Sequence, residues 1–88
     1  SNNDIVSKDD FVLYPNPSNG LFVIEVPSGH VISKISAFDA QGKQVLLSQE
    51  GVNDFQTKII ISDPVAGMYN LLITTERGLT FTKRVVLE

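Results

Sequence analysis

Cysteine and tryptophan are absent from this 88-residue chain, histidine and methionine occur once each, and no apolar run approaches the roughly 18 residues of a membrane span. Without cysteine there are no disulfides and no thiolate zinc site, so a domain of this size must be stabilised by packing alone. The same absence carries no information about compartment. Basic residues are also scarce: seven Lys and Arg face ten Asp and Glu, for a net charge of -3 and a pI near 4.9. Phosphate binding needs a basic face, and cations scattered along the chain do not obviously build one, which argues against nucleic acid and against an anionic membrane surface. No charged region followed by an apolar stretch precedes Asp9, so no N-terminal signal peptide is expected, and a start at Ser1 rather than Met suggests a piece of a longer protein.

The residues that carry catalysis are thin. His30 stands beside Ser28 and Gly29 and reads as a solvated turn residue. Ser28 or Ser33 with Asp39 or Asp63 would supply the parts of a triad, but no nucleophile elbow is present. Asp9, Asp10, Asp39, Asp54 and Asp63 all fall in turns or in the acidic start, where Asp is favoured for backbone reasons. Their spacing matches no EF-hand loop, and no phosphate-cradling glycine loop occurs. The expectation is a chain with no enzymatic activity, no cofactor and no metal.

What the sequence does contain is short β-rich runs separated by turn residues every eight to twelve positions, the pattern of an antiparallel sandwich or barrel. Seven strands are predicted: Phe11 to Tyr14, Leu21 to Val26, Val31 to Phe38, Lys43 to Gln49, Phe55 to Ile61, Met68 to Thr75 and Leu79 to Leu87. Period-two patterning puts Phe22, Ile24 and Val26 on one face, then Ile35 and Ala37, then Tyr69, Leu71 and Ile73, then Phe81, Val85 and Leu87. Ile59-Ile60-Ile61 is continuous and fits either coverage on both faces or partial exposure. The aromatic residues Phe11, Tyr14, Phe22, Phe38, Phe55, Tyr69 and Phe81 read mostly as core rather than as a sugar-stacking platform, with Tyr14 the least settled. Residues 1–10 are polar and acidic, consistent with a flexible linker, and folding should begin near Phe11.

Two turns are explicit. Asp39-Ala40-Gln41-Gly42 suits a type I turn closing a tight hairpin. Tyr14-Pro15-Asn16-Pro17-Ser18-Asn19-Gly20 stacks two prolines, two asparagines and a glycine against the apolar run Leu21 to Val26, and reads as a rigid corner that launches a strand.

That corner is similar to the opening of the type A C-terminal sorting domains of the type IX (Por) secretion system of Bacteroidetes, and three further landmarks follow in order. Ile35-Ser36-Ala37-Phe38-Asp39-Ala40-Gln41-Gly42-Lys43 resembles the family's hairpin, Ala66-Gly67-Met68-Tyr69 its Gly-x-Tyr, and Lys83-Arg84-Val85-Val86-Leu87 its basic-apolar terminus. Pro64 departs from the pattern where many members carry leucine, and Val65 is expected to supply the apolar contact instead. The resemblance covers Phe11 to Glu88. It implies an immunoglobulin-like sandwich at 11–88 that labels a preceding cargo domain for export and performs no reaction. It further implies recognition in the periplasm by translocon components, removal by a sortase in or upstream of Ser1 to Asp10, and a cargo that is secreted or held at the outer-membrane surface.

Within that frame Tyr14, Pro15, Asn16, Pro17, Asn19, Gly20, Asp39, Gly42 and Lys43 are structural motif residues, and Gly67, Tyr69, Lys83, Arg84 and Val85 are candidate recognition residues. Structural roles compete at Gly67 as a turn, at Tyr69 as core, and at Lys83 and Arg84 as edge-strand gatekeepers. An accessory module binding carbohydrate or cell-surface protein is the alternative function, and a spacer is a more remote one. The isolated domain is also expected to be able to pair through an exposed edge or to swap its last strand.

Overall fold

Period-two burial organises the chain into two four-stranded antiparallel sheets. The computed structural model describes residues 6–88. A 3-10 turn at Lys8–Asp10 is followed by β1 (Val12–Tyr14), β2 (Leu21–Glu25), β3 (Ile32–Phe38), β4 (Gln44–Val45), β5 (Leu47–Asn53), β6 (Gln56–Ile61), β7 (Gly67–Thr75) and β8 (Thr80–Leu87). One sheet has the order β1-β2-β6-β5 and the other β4-β3-β7-β8. The all-β sandwich is as expected, with eight strands rather than seven.

The inward faces follow the sequence alternation. Phe22, Ile24 and Ile59 from one sheet and Ala37, Leu71, Ile73 and Val85 from the other are fully buried. Phe11 closes the flank between the sheets and packs on Phe81 with ring centroids 5.0 Å apart. At roughly 1.5 to 3 kcal/mol for each large side chain removed from water, these residues are the main term opposing chain entropy.

Ile60 faces out at 40% exposure while Ile59 and Ile61 are buried, so β6 is covered on one face only. The predicted strand Lys43 to Gln49 is divided. β4 pairs with β3, and β5 pairs with β6 in the opposite sheet. Leu46 lies at the crossing, its carbonyl accepting from the Ser62 N–H at 2.9 Å and its side chain in solvent. A strand that changes sheets must break its alternation at the corner, which three consecutive apolar residues, Val45, Leu46 and Leu47, conceal in the sequence.

Three further expectations are corrected. Phe55 is no core strand residue: with Asp54 it forms the tip of the β5–β6 hairpin, where the Asn53 side chain accepts from its N–H, and its ring is exposed. His30 is not solvated. The turn over Pro27 to His30, closed by the His30 N–H on the Pro27 carbonyl, tucks the imidazole inward, where it is 8% exposed and Nδ1 has no hydrogen-bond partner. Part of the expected linker is structured as well. Ser7 caps the Lys8–Asp10 turn by accepting from the Asp9 N–H, and Asp10 accepts from the Ser7 N–H. Residues 1–5 of that linker lie outside the described residues.

Candidate recognition surface

The corner at Tyr14 to Gly20 does more than start β2. Both of its X-Pro bonds are cis, and the segment runs along the outer edge of β8. The Asn16 side chain accepts from the Val86 N–H at 3.0 Å and donates to the Arg84 carbonyl at 3.4 Å. Two residues on, the Ser18 N–H donates to the Val86 carbonyl and the Glu88 N–H donates to the Ser18 carbonyl, each at 2.9 Å. This is a one-residue parallel bridge, Ser18 to Leu87. The first and last landmarks of the sequence are therefore bonded to one another, and the corner covers the C-terminal end of an otherwise open edge.

The corner turns into β2 through local bonds. Ser18 Oγ accepts from the Gly20 N–H, and Asn19 Oδ1 accepts from the Leu21 N–H. Gly20 has a φ of 109°, and a Cβ there would lie 2.9 Å from Pro64 Cβ. Pro64 thus packs on the corner. Val65 does not provide the apolar contact expected of it, because its side chain is exposed. Its carbonyl instead accepts the Tyr69 hydroxyl at 2.6 Å.

Tyr69 is 5% exposed and packs in the core. Gly67 opens β7 with a φ of 147° and an exposed surface. It stands at the rim of a cleft of about 470 Å³ between the β3–β4 turn and the β6–β7 loop, lined in part by Asp39, Lys43, Val65, Met68 and Tyr69. The turn itself forms as expected. The Gly42 N–H donates to the Asp39 carbonyl, and the Asp39 carboxylate accepts from the Gln41 and Lys43 N–H groups, all at 2.9 Å.

The terminal cations separate. Val85 is fully buried and is core rather than contact surface. Because alternate residues of a strand face opposite ways, Lys83 shares the inward side of β8 with Val85 and is half-buried at the flank, while Arg84 faces out and is exposed. Lys8 from the N-terminal turn joins them in one groove with Asn16 and Thr82. The sequence held no signal for the placement of Lys8, since only the path of Phe11 into the core brings that turn beside β8.

Tyr14 lies on the other side of the corner. Its hydroxyl donates to Glu25 Oε2 at 3.1 Å and accepts from Gln56 Nε2 at 2.7 Å. Desolvation, and then the hydrogen bond to the Glu25 carboxylate, hold its pKa above the ordinary tyrosine value, against an opposing bond from Gln56. Among the described residues, no cluster of three His, Asp or Glu side chains is arranged to hold a metal ion.

A family model described as "Secretion system C-terminal sorting domain" matches residues 12–88. No curated protein and no solved structure matches the chain. The match spans both sheets, from the first residue of β1 past the end of β8. The chain belongs to the secretion system C-terminal sorting domain family, the sorting signals of type IX secretion that accompany a cargo protein to the cell surface or beyond.

Proposed function

We propose that this domain acts as a non-catalytic address label, read in the periplasm by a component of the type IX translocon and afterwards removed from its cargo by a sortase. The observation that carries this reading is the bonding of the Pro-Asn-Pro corner to the Lys83-Arg84 strand. It makes the two ends of the domain a single preorganised surface, and preorganisation lowers the ordering cost of recognition. Arg84 is the exposed cation of that surface, and Lys83 stands half-buried beside it. In this reading cleavage falls in or upstream of the acidic segment Ser1 to Asp10, where it would leave both sheets intact.

The test is a reporter exported to the periplasm and fused ahead of residues 11–88, expressed in a cell with the type IX apparatus. The reporter is expected outside the cell, and the Lys83→Gln/Arg84→Gln variant is expected to leave more of it in the periplasm. Deleting the terminal segment is a poorer test, because Val85 and Leu87 are core and their loss would unfold the domain. A reporter that stays in the periplasm with the native domain attached would contradict the reading.

A carbohydrate-binding role stands second. A sugar platform needs exposed, neighbouring aromatic rings, and among the aromatic residues only Tyr14 and Phe55 are exposed. A glycan array returning a specific ligand would reverse that order.

A further inference from the structure

The cations of this acidic chain are not evenly spread. Three of the seven, Lys8, Lys83 and Arg84, line one groove of about 260 Å³ on the β8 flank, with Asp9, Leu13, Asn16 and Thr82 completing it. A second concavity shares Lys8, Thr82 and Arg84 and extends the same surface over Asn70 on the outer face of the sheet. Three cations against the single carboxylate of Asp9 leave the groove positive. Asp10, which accepts the Ser7 N–H, keeps its charge but does not line the groove, and the one ion pair among the described residues, Lys58 with Glu50, lies on the far edge of the other sheet.

The backbone adds a second property. The Thr75 N–H donates to the Leu79 carbonyl at the β7–β8 turn, so in an antiparallel ladder the pairs Ile73 with Phe81, Leu71 with Lys83 and Tyr69 with Val85 exchange the bonds. The peptide groups of Thr80, Thr82, Arg84 and Val86 therefore point away from β7. Those of Val86 are taken by Asn16 and Ser18, and the Arg84 carbonyl by Asn16. No backbone partner meets the outward groups of Thr82 or the Arg84 N–H among the described residues. The edge thus already accepts one extended segment at its end and is open beside it.

We propose that this groove docks an extended acidic segment of a partner polypeptide, its carboxylates meeting Lys8, Lys83 and Arg84 and its main chain meeting the outward peptide groups of Thr82 and Arg84. Lys83 and Arg84 project to opposite faces of β8, so they do not converge on one phosphate, whereas alternate side chains of an extended peptide reach both faces. Unpaired peptide groups at strand spacing likewise fit a polypeptide better than a lipid headgroup. The proposal rests on the sorting reading for the identity of the partner, but not for the chemistry of the groove.

The test is NMR titration of the isotopically labelled 88-residue chain with a glutamate-rich peptide, its glutamine counterpart, inorganic phosphate and anionic lipid vesicles. Saturable shifts at Lys8, Thr82, Lys83 and Arg84 are expected with the glutamate peptide only, diminishing as salt rises. Lys83→Gln/Arg84→Gln should weaken binding about tenfold, with unchanged amide dispersion showing that the fold is kept. Equal binding of the glutamine peptide, equivalent shifts from phosphate or vesicles, or undiminished affinity in the double variant would overturn the proposal. Loss of export in that variant without any peptide binding overturns the groove proposal alone. Peptide binding by a chain that fails to direct a reporter overturns the sorting reading alone.

Discussion

Asn16 and Val86, seventy positions apart, meet where the Asn16 carboxamide accepts the Val86 N–H at 3.0 Å and reaches the Arg84 carbonyl with its amide at 3.4 Å. A side chain that supplies both an acceptor and a donor can stand in for a neighbouring strand, and here it does so between two prolines that have no N–H to offer. One end of the β8 edge is thereby covered by a segment whose two prolines cannot pair through a backbone N–H of their own.

Asn16→Ala should destabilise the domain by about 1 kcal/mol, the net worth of hydrogen bonds of this kind. Denaturant unfolding followed by circular dichroism measures it. Hydrogen exchange adds a local check, because the Val86 amide should lose protection while Leu71 keeps its own.

Gly20→Ala should cost about 2 to 4 kcal/mol, since strain at positive φ adds to a contact with Pro64 that cannot relax easily. Gly42→Ala shares the positive φ but meets nothing within 4 Å, so about 1 kcal/mol is expected there. Combining Gly20→Ala with Pro64→Gly should recover the contact part of the loss and leave the φ part. Equal costs at the two glycines would remove the role assigned to Pro64.

Tyr69→Phe should cost about 1 kcal/mol through the lost bond to the Val65 carbonyl, and Tyr69→Ala about 3 to 5 through the cavity. The variants separate the hydroxyl from the ring. If export survives the Phe variant, Tyr69 acts as core and not as contact.

Val85→Ala and Arg84→Ala, one residue apart, should behave oppositely. The first is expected to lose about 2 kcal/mol of stability, and the second to stay within about 0.5 kcal/mol. Midpoints of denaturant unfolding measure both. In the reporter assay the Arg84 variant should impair export in a domain of native stability.

Tyr14 should ionise at higher pH than a model tyrosine, and Tyr14→Phe should remove that component from the ultraviolet titration of tyrosinate. Because the folded pKa is raised, the contribution of Tyr14 to stability is complete below the unfolded pKa. It is lost as pH rises through the folded one. Glu25→Gln should move the ionisation downward by removing the carboxylate.

Alternation along Leu21 to Val26, Ile35 to Ala37, Tyr69 to Ile73 and Phe81 to Leu87 was enough to assign the inward faces, because a period of two is a local property and every residue reports it. The Asp39 to Gly42 turn was legible for the same reason: its hydrogen bonds close within five residues. Other features depend on the path of distant chain. Leu46 changes sheets within an unbroken apolar run, His30 is carried inward by its turn, and Phe55 is left outside at a hairpin tip. Lys8 reaches the groove only because Phe11 anchors the chain on Phe81. Asn16 meets Val86 only because β1 and β8 end as edges on the same flank. From the order of residues came the sandwich, its buried faces, its turns and the family; the groove and the bonded corner proposed for recognition came from tertiary packing, since edges and grooves belong to the way sheets stack and not to any stretch of chain.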